Sequence, residues 1–197
     1  MNIFVHLMFA TTVRRRIKKS LGVSLSYFGF LYGNILPDIS RKYGYHPHYL
    51  KDSLNHVIIS KDRLIDSNNP GYSSYRFAKE LGAINHYLSD FFCMPHTERF
   101  QGTRLNHGIY ELAMMIRYKK GHKAFRHMLK EQSSTLKPSD LKSFIEENSL
   151  TYSQNKGSDI LDISYALFAG TKLSESMILY SAAVPPKLLH KVCLLES

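Results

Sequence analysis

The sequence predicts an all-α protein, a single-domain helical bundle with a multi-metal cleft. Three observations carry this expectation. Apolar residues recur at helical spacing along most of the chain, while strand-like alternation is scarce. A length of 197 residues suits one domain with a proper core. The chain holds 10 histidines, about twice the ordinary share, and several are spaced with carboxylates between positions 86 and 111.

The elements follow in order. Val5 to Ile17 reads as a first helix, with His6 near its start, and Ser24 to Leu31 as a second, ending at Gly33 before a break at Pro37. Residues 40 to 47 read as a loop rich in Tyr and His, and Tyr49 to Ile65 as a third helix. Ser67 to Gly71 is a turn, after which Ser73 or Ser74 caps a helix from Tyr75 to about Phe92. Met94-Pro95-His96 leaves that helix. Asn106 to Tyr118 is helical up to a break at Gly121, Lys123 to Gln132 follows, and Leu141 to Asn148 is helical after the Lys137-Pro138-Ser139-Asp140 punctuation. Asp159 to Gly170 and Ser174 to Ala183 read as two apolar helices, stopped by Pro185-Pro186. Residues 1–197 form one domain in this reading, with the motifs in about 1–130 and the helices of 139–197 completing the bundle.

The chemistry concentrates in two short patterns. His86 and Asp90 are four residues apart, as are His107 and Glu111, and on a helix this spacing puts each pair on one face. An isolated pair of this kind is usually a surface hydrogen bond. Two within 26 residues, with His96 following a proline between them, point instead to a metal site. Imidazole nitrogen and carboxylate oxygen are ligands zinc prefers, and a site without paired thiolates can keep a position open for water.

Bulk properties bound the rest. Cys93 and Cys193 are too few and too far apart for a disulfide framework and read as buried thiols. No apolar run reaches the roughly 20 residues that span a bilayer. The charges at Arg14 to Lys19 come after the first apolar run, the reverse of a signal peptide, so a cytoplasmic location is expected, with a secreted form as the alternative. The net charge of +10 suits an anionic partner such as phospholipid or nucleic acid. Its clusters, at 14–19 and at Lys119, Lys120, Lys123 and Arg126, are equally explained as solvated helix faces, and no nucleic-acid-binding motif accompanies them.

The run His86-Tyr87-Leu88-Ser89-Asp90, followed by Pro95-His96 and by His107 with Glu111, resembles the zinc-dependent phospholipase C family, related in fold to the single-strand-specific zinc nucleases. Gly33 to Ile39 looks like the family's Gly-x3-Pro-Asp segment, and Val5-His6-Leu7 like its N-terminal metal-binding helix. The resemblance covers about residues 1 to 130 and implies two or three Zn²⁺ ions in one cleft. Asp38, an upstream histidine, His86 and Asp90 would hold the first; His96, His107 and Glu111 the second; His6 and Asp90 the third. The upstream histidine is His46, His48 or His56, and His48 is preferred because Pro47-His48-Tyr49 resembles the family's His-aromatic pair. His122, His127 and His190 match nothing in the pattern.

Secreted relatives complete the third site with the amine and carbonyl of an N-terminal Trp, and this chain has no Trp. Met1 stands five residues before His6, and the bulky Asn2 discourages methionine removal, so the Met1 amine and carbonyl are expected to take the Trp's place. The resemblance further implies that Asp38 aligns or deprotonates the attacking water. Tyr43, Tyr45, Tyr49 and Phe100 either line the cleft or serve as packing. The expected function is phospholipase C-like cleavage of phospholipid, with peripheral membrane contact. The alternatives are a single-strand nuclease with the same metal set, and a family member that binds metal without turnover.

Overall fold

The computed structural model describes residues 1–66 and 74–181. Among them stand seven α-helices and no strand: α1 Ile3–Leu21, α2 Tyr27–Ile39, α3 Leu50–Asp66, α4 Tyr75–Phe91, α5 Arg104–Glu131, α6 Leu141–Gln154 and α7 Asp159–Leu179, with short 3-10 turns at Met94–His96 and Pro138–Asp140. The expected all-α class holds. The turn expected at 67–71 and the chain beyond 181, with Pro185-Pro186, His190 and Cys193, lie outside the described residues.

Short polar side chains start the helices, each accepting a bond from an amide that the first helical turn leaves unpaired. Asn2 accepts from Val5, Ser26 from Gly29, Ser74 from Phe77 and Ser158 from Leu161. Thr103 and Asn106 form a reciprocal capping box at the head of α5.

The core is built around α4 and α7. Every residue of α4 from Leu81 to Phe91 is buried, as is every residue of α7 from Asp162 to Ser174; helices that lose all their faces to packing sit at the centre of a bundle. α1, α2, α3 and α7 pack on α4, and α5 packs along α7. No helix among the described residues is long and apolar enough to cross a membrane.

Three expected breaks are not breaks. α2 passes Gly33 and carries Pro37 inside it to Ile39. Pro37 lies so close to the helix end that its missing N–H forfeits one bond, and the Ser40 amide closes the last turn on Leu36. Gly121 lies inside a continuous α5, because a Cβ there would come within 2.5 Å of Ile163 on α7. Gly170 lies inside a continuous α7, where a Cβ would stand 2.5 Å from the Asn85 side chain. A helical glycine costs about 1 kcal/mol against alanine, and here that cost is offset by interhelical packing that no larger residue permits.

The same device positions the site. At the α2–α4 crossing Gly33 meets Gly82 nearly backbone to backbone, for a Cβ on Gly82 would stand 2.5 Å from the Phe30 carbonyl. The residues that follow the crossing, Asn34 and Asp38 on α2 and His86 and Asp90 on α4, are thereby brought face to face.

Candidate metal centre

α4 supplies the centre of the site. His86 and Asp90 are fully buried one turn apart, and the His86 Nδ1 donates to the Asn34 carbonyl at 2.8 Å. A carbonyl can only accept, so the bond leaves His86 Nε2 with its lone pair turned to the cluster. That nitrogen stands 3.3 Å from Asp90 Oδ2, 3.3 Å from His48 Nδ1 and 3.6 Å from Asp38 Oδ1. His48 Nδ1 lies 2.7 Å from Asp90 Oδ2 and 4.0 Å from Asp38 Oδ1. Four side chains, two imidazoles and two carboxylates, from α2, the loop before α3, and α4 thus converge on one point.

Of the three candidate upstream histidines, the structure brings His48 into this group. His46 and His56 instead stack on each other, ring centroids 3.8 Å apart, and line a separate cavity with Lys42, Arg63 and Arg76.

α5 supplies a second group: His107 Nε2 is 2.7 Å from Glu111 Oε1, and His96 Nε2, from the turn after α4, is 4.0 Å from the same oxygen. α1 closes the third side. The Met1 amine lies 2.5 Å from Asp90 Oδ1, 2.9 Å from His96 Nε2 and 3.5 Å from Glu111 Oε1, and His6 Nε2 is 3.5 Å from Asp90 Oδ1. Asp90 therefore faces the first group with Oδ2 and α1 with Oδ1. The nine residues singled out in the sequence, Met1, His6, Asp38, His48, His86, Asp90, His96, His107 and Glu111, form one continuous cluster. Asp90, His86 and His6 are its floor, and Asp38, His48 and His107, with side chains 22%, 19% and 32% exposed, are the wall open to solvent.

A metal fits this donor set. His6 is fully buried and stacked on His86 at 3.9 Å, yet neither of its ring nitrogens has a hydrogen bond, and Asp90 Oδ1 stands 3.5 Å from its Nε2. Leaving a buried polar atom unpaired costs about 1–3 kcal/mol, and a cation between His6 and Asp90 removes that cost. Nitrogen and carboxylate donors with no thiolate also suit zinc in a site that keeps a position open for substrate.

The electrostatics of the cluster turn on burial and on Asp90. Burial opposes the charge on the Met1 amine, but Asp90, with Cys93 and Glu111 behind it, raises its pKa from 8.0 to about 11. Burial likewise works against the Asp90 carboxylate, which the Met1 amine, His96, His6 and His86 nevertheless hold well below the usual range. His96 is pushed down by burial to about 3, so it is neutral and ready to ligate. Burial raises the Asp38 carboxyl, with His86 acting against it.

Reading the sequence missed the residues that hold His96 in place. Asp162 of α7 accepts from the Met94 amide at 2.7 Å, from Tyr110 of α5 at 2.8 Å and from Tyr152 of α6 at 2.8 Å, pinning the turn that presents His96. Asp162, set with Asp159 at the head of an otherwise largely apolar helix, was the available signal. Among the aromatics, Phe100 stands edge-on 6.0 Å from His107 and Tyr49 lies 6.3 Å from His96, whereas Tyr43 and Tyr45 line the separate cavity.

A family model described as zinc dependent phospholipase C matches residues 5–159, well over half of the chain. The chain belongs to the zinc-dependent phospholipase C family. The matched span takes in every cluster residue from His6 to Glu111, and the cluster's nitrogen and carboxylate donors agree with the zinc dependence of this hydrolase family. No curated protein and no solved structure matches the chain.

Proposed function

We propose that the protein is a phospholipase C-type hydrolase that cleaves phospholipid at the phosphodiester with two or three zinc ions. The observation that supports this above all is one continuous cluster of nitrogen and carboxylate donors in which Asp90 stands between His48 and His86 on one side and Met1 and His6 on the other. Asp38, His48, His86 and Asp90 hold the first ion; His96, His107 and Glu111 the second; Met1, His6 and Asp90 the third. Zinc held there supplies Lewis acidity, polarising phosphodiester oxygens and lowering the pKa of water. The protein's own groups do the rest. Asn34 fixes the His86 tautomer, Asp162 holds the His96 turn, and Asp38, on the solvent-facing wall, orients the attacking water and takes its proton on a carboxylate oxygen.

The deciding assay sets phosphatidylcholine against single-stranded DNA, with chelator and then zinc added back. Cleavage of phospholipid that chelator abolishes and zinc restores is the expected result. Cleavage of DNA alone would make the protein a nuclease, and fully metal-loaded protein inert on both would make it a metal-binding member without turnover.

In a chain whose first residue is Met1, the amine is a ligand of the third ion. An N-terminal tag is then expected to lower the zinc content by one equivalent while the sites built on His86 and His107 stay filled. Equal content in tagged and untagged protein, measured by plasma emission, would refute the role.

The pH dependence has a definite sign. The amine's pKa is raised in the folded chain, so its contact with Asp90 contributes stability that is fully present below pH 8.0 and lost as the pH rises through about 11. Zinc must displace that proton, so the apparent affinity of the third position should rise about tenfold per pH unit across neutral and mildly alkaline pH. Calorimetric titration in buffers of different ionisation enthalpy reads the released proton; an affinity that does not change with pH would contradict the assignment.

A further inference from the structure

The outer face of α5 is divided along its length in a way that packing does not explain. Leu105, Ile109, Leu112 and Ile116 are 74%, 58%, 55% and 77% exposed. At 100° per residue they fall within a stripe about 60° wide. The stripe faces away from Glu111, Met114, Gly121 and Phe125, which α5 buries. Single exposed apolar residues need no explanation, but four successive ones on one helix face do. Beyond Ile116 the same face turns cationic: Lys119, Lys120, Lys123, Arg126 and Lys130 are all exposed. The only acids in α5 are the buried Glu111 and Glu131 at its end. α1 runs beside the apolar half, with Met1 near Glu111 and the Met8 carbonyl bonded to Tyr118, and its own Phe4 is 65% exposed.

We propose that this face of α5 docks on an anionic phospholipid bilayer, the stripe from Leu105 to Ile116 entering the headgroup–acyl boundary and the lysine-rich half lying on the anionic headgroups. The inference rests on the phospholipase reading for its purpose and on the face's own chemistry for its partner. An interface-seeking helix buries its apolar side and gains attraction from basic residues beside it. A second copy is a poorer fit, since a two-fold pairing along the whole face would lay each chain's lysines over the other's apolar stripe if antiparallel, or over the other's lysines if parallel. His107 and Glu111 project inward from the turns that carry the stripe, so docking sets the metal centre about one helix diameter, roughly 10–12 Å, from the bilayer surface.

Sedimentation of the whole zinc-loaded protein with phosphatidylcholine vesicles, with and without phosphatidylserine, tests the proposal. The protein should bind the mixed vesicles more tightly, and less so as salt rises. Ile109→Asp with Ile116→Asp should lower vesicle binding at least about tenfold. Lys119→Glu with Lys123→Glu should abolish the preference for phosphatidylserine. Both variants should keep wild-type zinc content, helicity and hydrolysis of a monomeric short-chain phospholipid. Vesicle binding unchanged in both variants, or absent in the wild type, would overturn the proposal, as would aspartates whose sole effect is to split a dimer on size-exclusion chromatography. Vesicle binding through this face without phospholipid hydrolysis would leave docking standing and the phospholipase reading refuted, and hydrolysis without such binding would do the reverse.

Discussion

Asp90→Asn is expected to strip the first and third positions of zinc and to abolish measurable hydrolysis, because one carboxylate serves both. Its Oδ2 stands within 3.3 Å of His48 and His86, and its Oδ1 within 3.5 Å of the Met1 amine and His6. Losing a residue that merely orients a ligand costs about 10–100-fold in affinity or activity, and losing a shared ligand should cost more. Asparagine keeps the volume and removes the charge that holds buried nitrogens together. Asp90→Ala goes further and leaves the Met1 ammonium buried without its nearest carboxylate, a defect worth about 3–5 kcal/mol. The folded-state pKa of Asp90 is depressed, so its stabilising contribution is present above pH 3.8 and is lost as the pH falls through its lowered pKa. Zinc content by plasma emission, thermal melting and turnover measure the three consequences. A variant that keeps two or more equivalents and its activity would remove Asp90 from the centre.

Asp38→Asn is expected to separate turnover from binding. Asp38 touches the cluster at longer range than its neighbours, 3.6 Å from His86 and 4.0 Å from His48, and part of its carboxylate faces solvent. The remaining three donors of the first position, His48, His86 and Asp90, meet one another without it. Removing its charge should therefore lower kcat by about 10²–10⁴-fold, the usual contribution of a positioned general base, while zinc content falls much less. The acidic limb of the pH–rate profile separates the two roles, since loss of a carboxylate base changes its shape and loss of metal only scales it. A parallel fall in zinc and kcat would make Asp38 a ligand and nothing more.

Much of this was legible in the residue order because it is local. Helical periodicity announced an all-α chain, and the four-residue spacing in His86–Asp90 and His107–Glu111 put each pair on one face with no knowledge of what packs nearby. Ser74 is the helix cap it was expected to be as one of two candidates. The errors came where local rules meet tertiary packing. Gly33 and Gly170 read as helix ends and Gly121 as a break, yet each lies in a helix interior at a point where a neighbour leaves no room for a Cβ.

What the sequence by itself determined is the helical class, the candidate donors and their pairing within each helix, since these depend on residues a turn apart. Only the tertiary structure decided which donors share a point in space. In the sequence His48 is preferred over His46 and His56 by resemblance alone, and it is the loop before α3 that carries His48 to Asp90 while His46 and His56 stack apart. The Met1 amine meets an aspartate 89 residues away because α1 lies against α4, and Asp162 reaches the His96 turn because α7 fills the core. Such contacts form when apolar faces bury against one another and carry their polar residues with them, so their geometry is a property of the packed helices and not of any one segment.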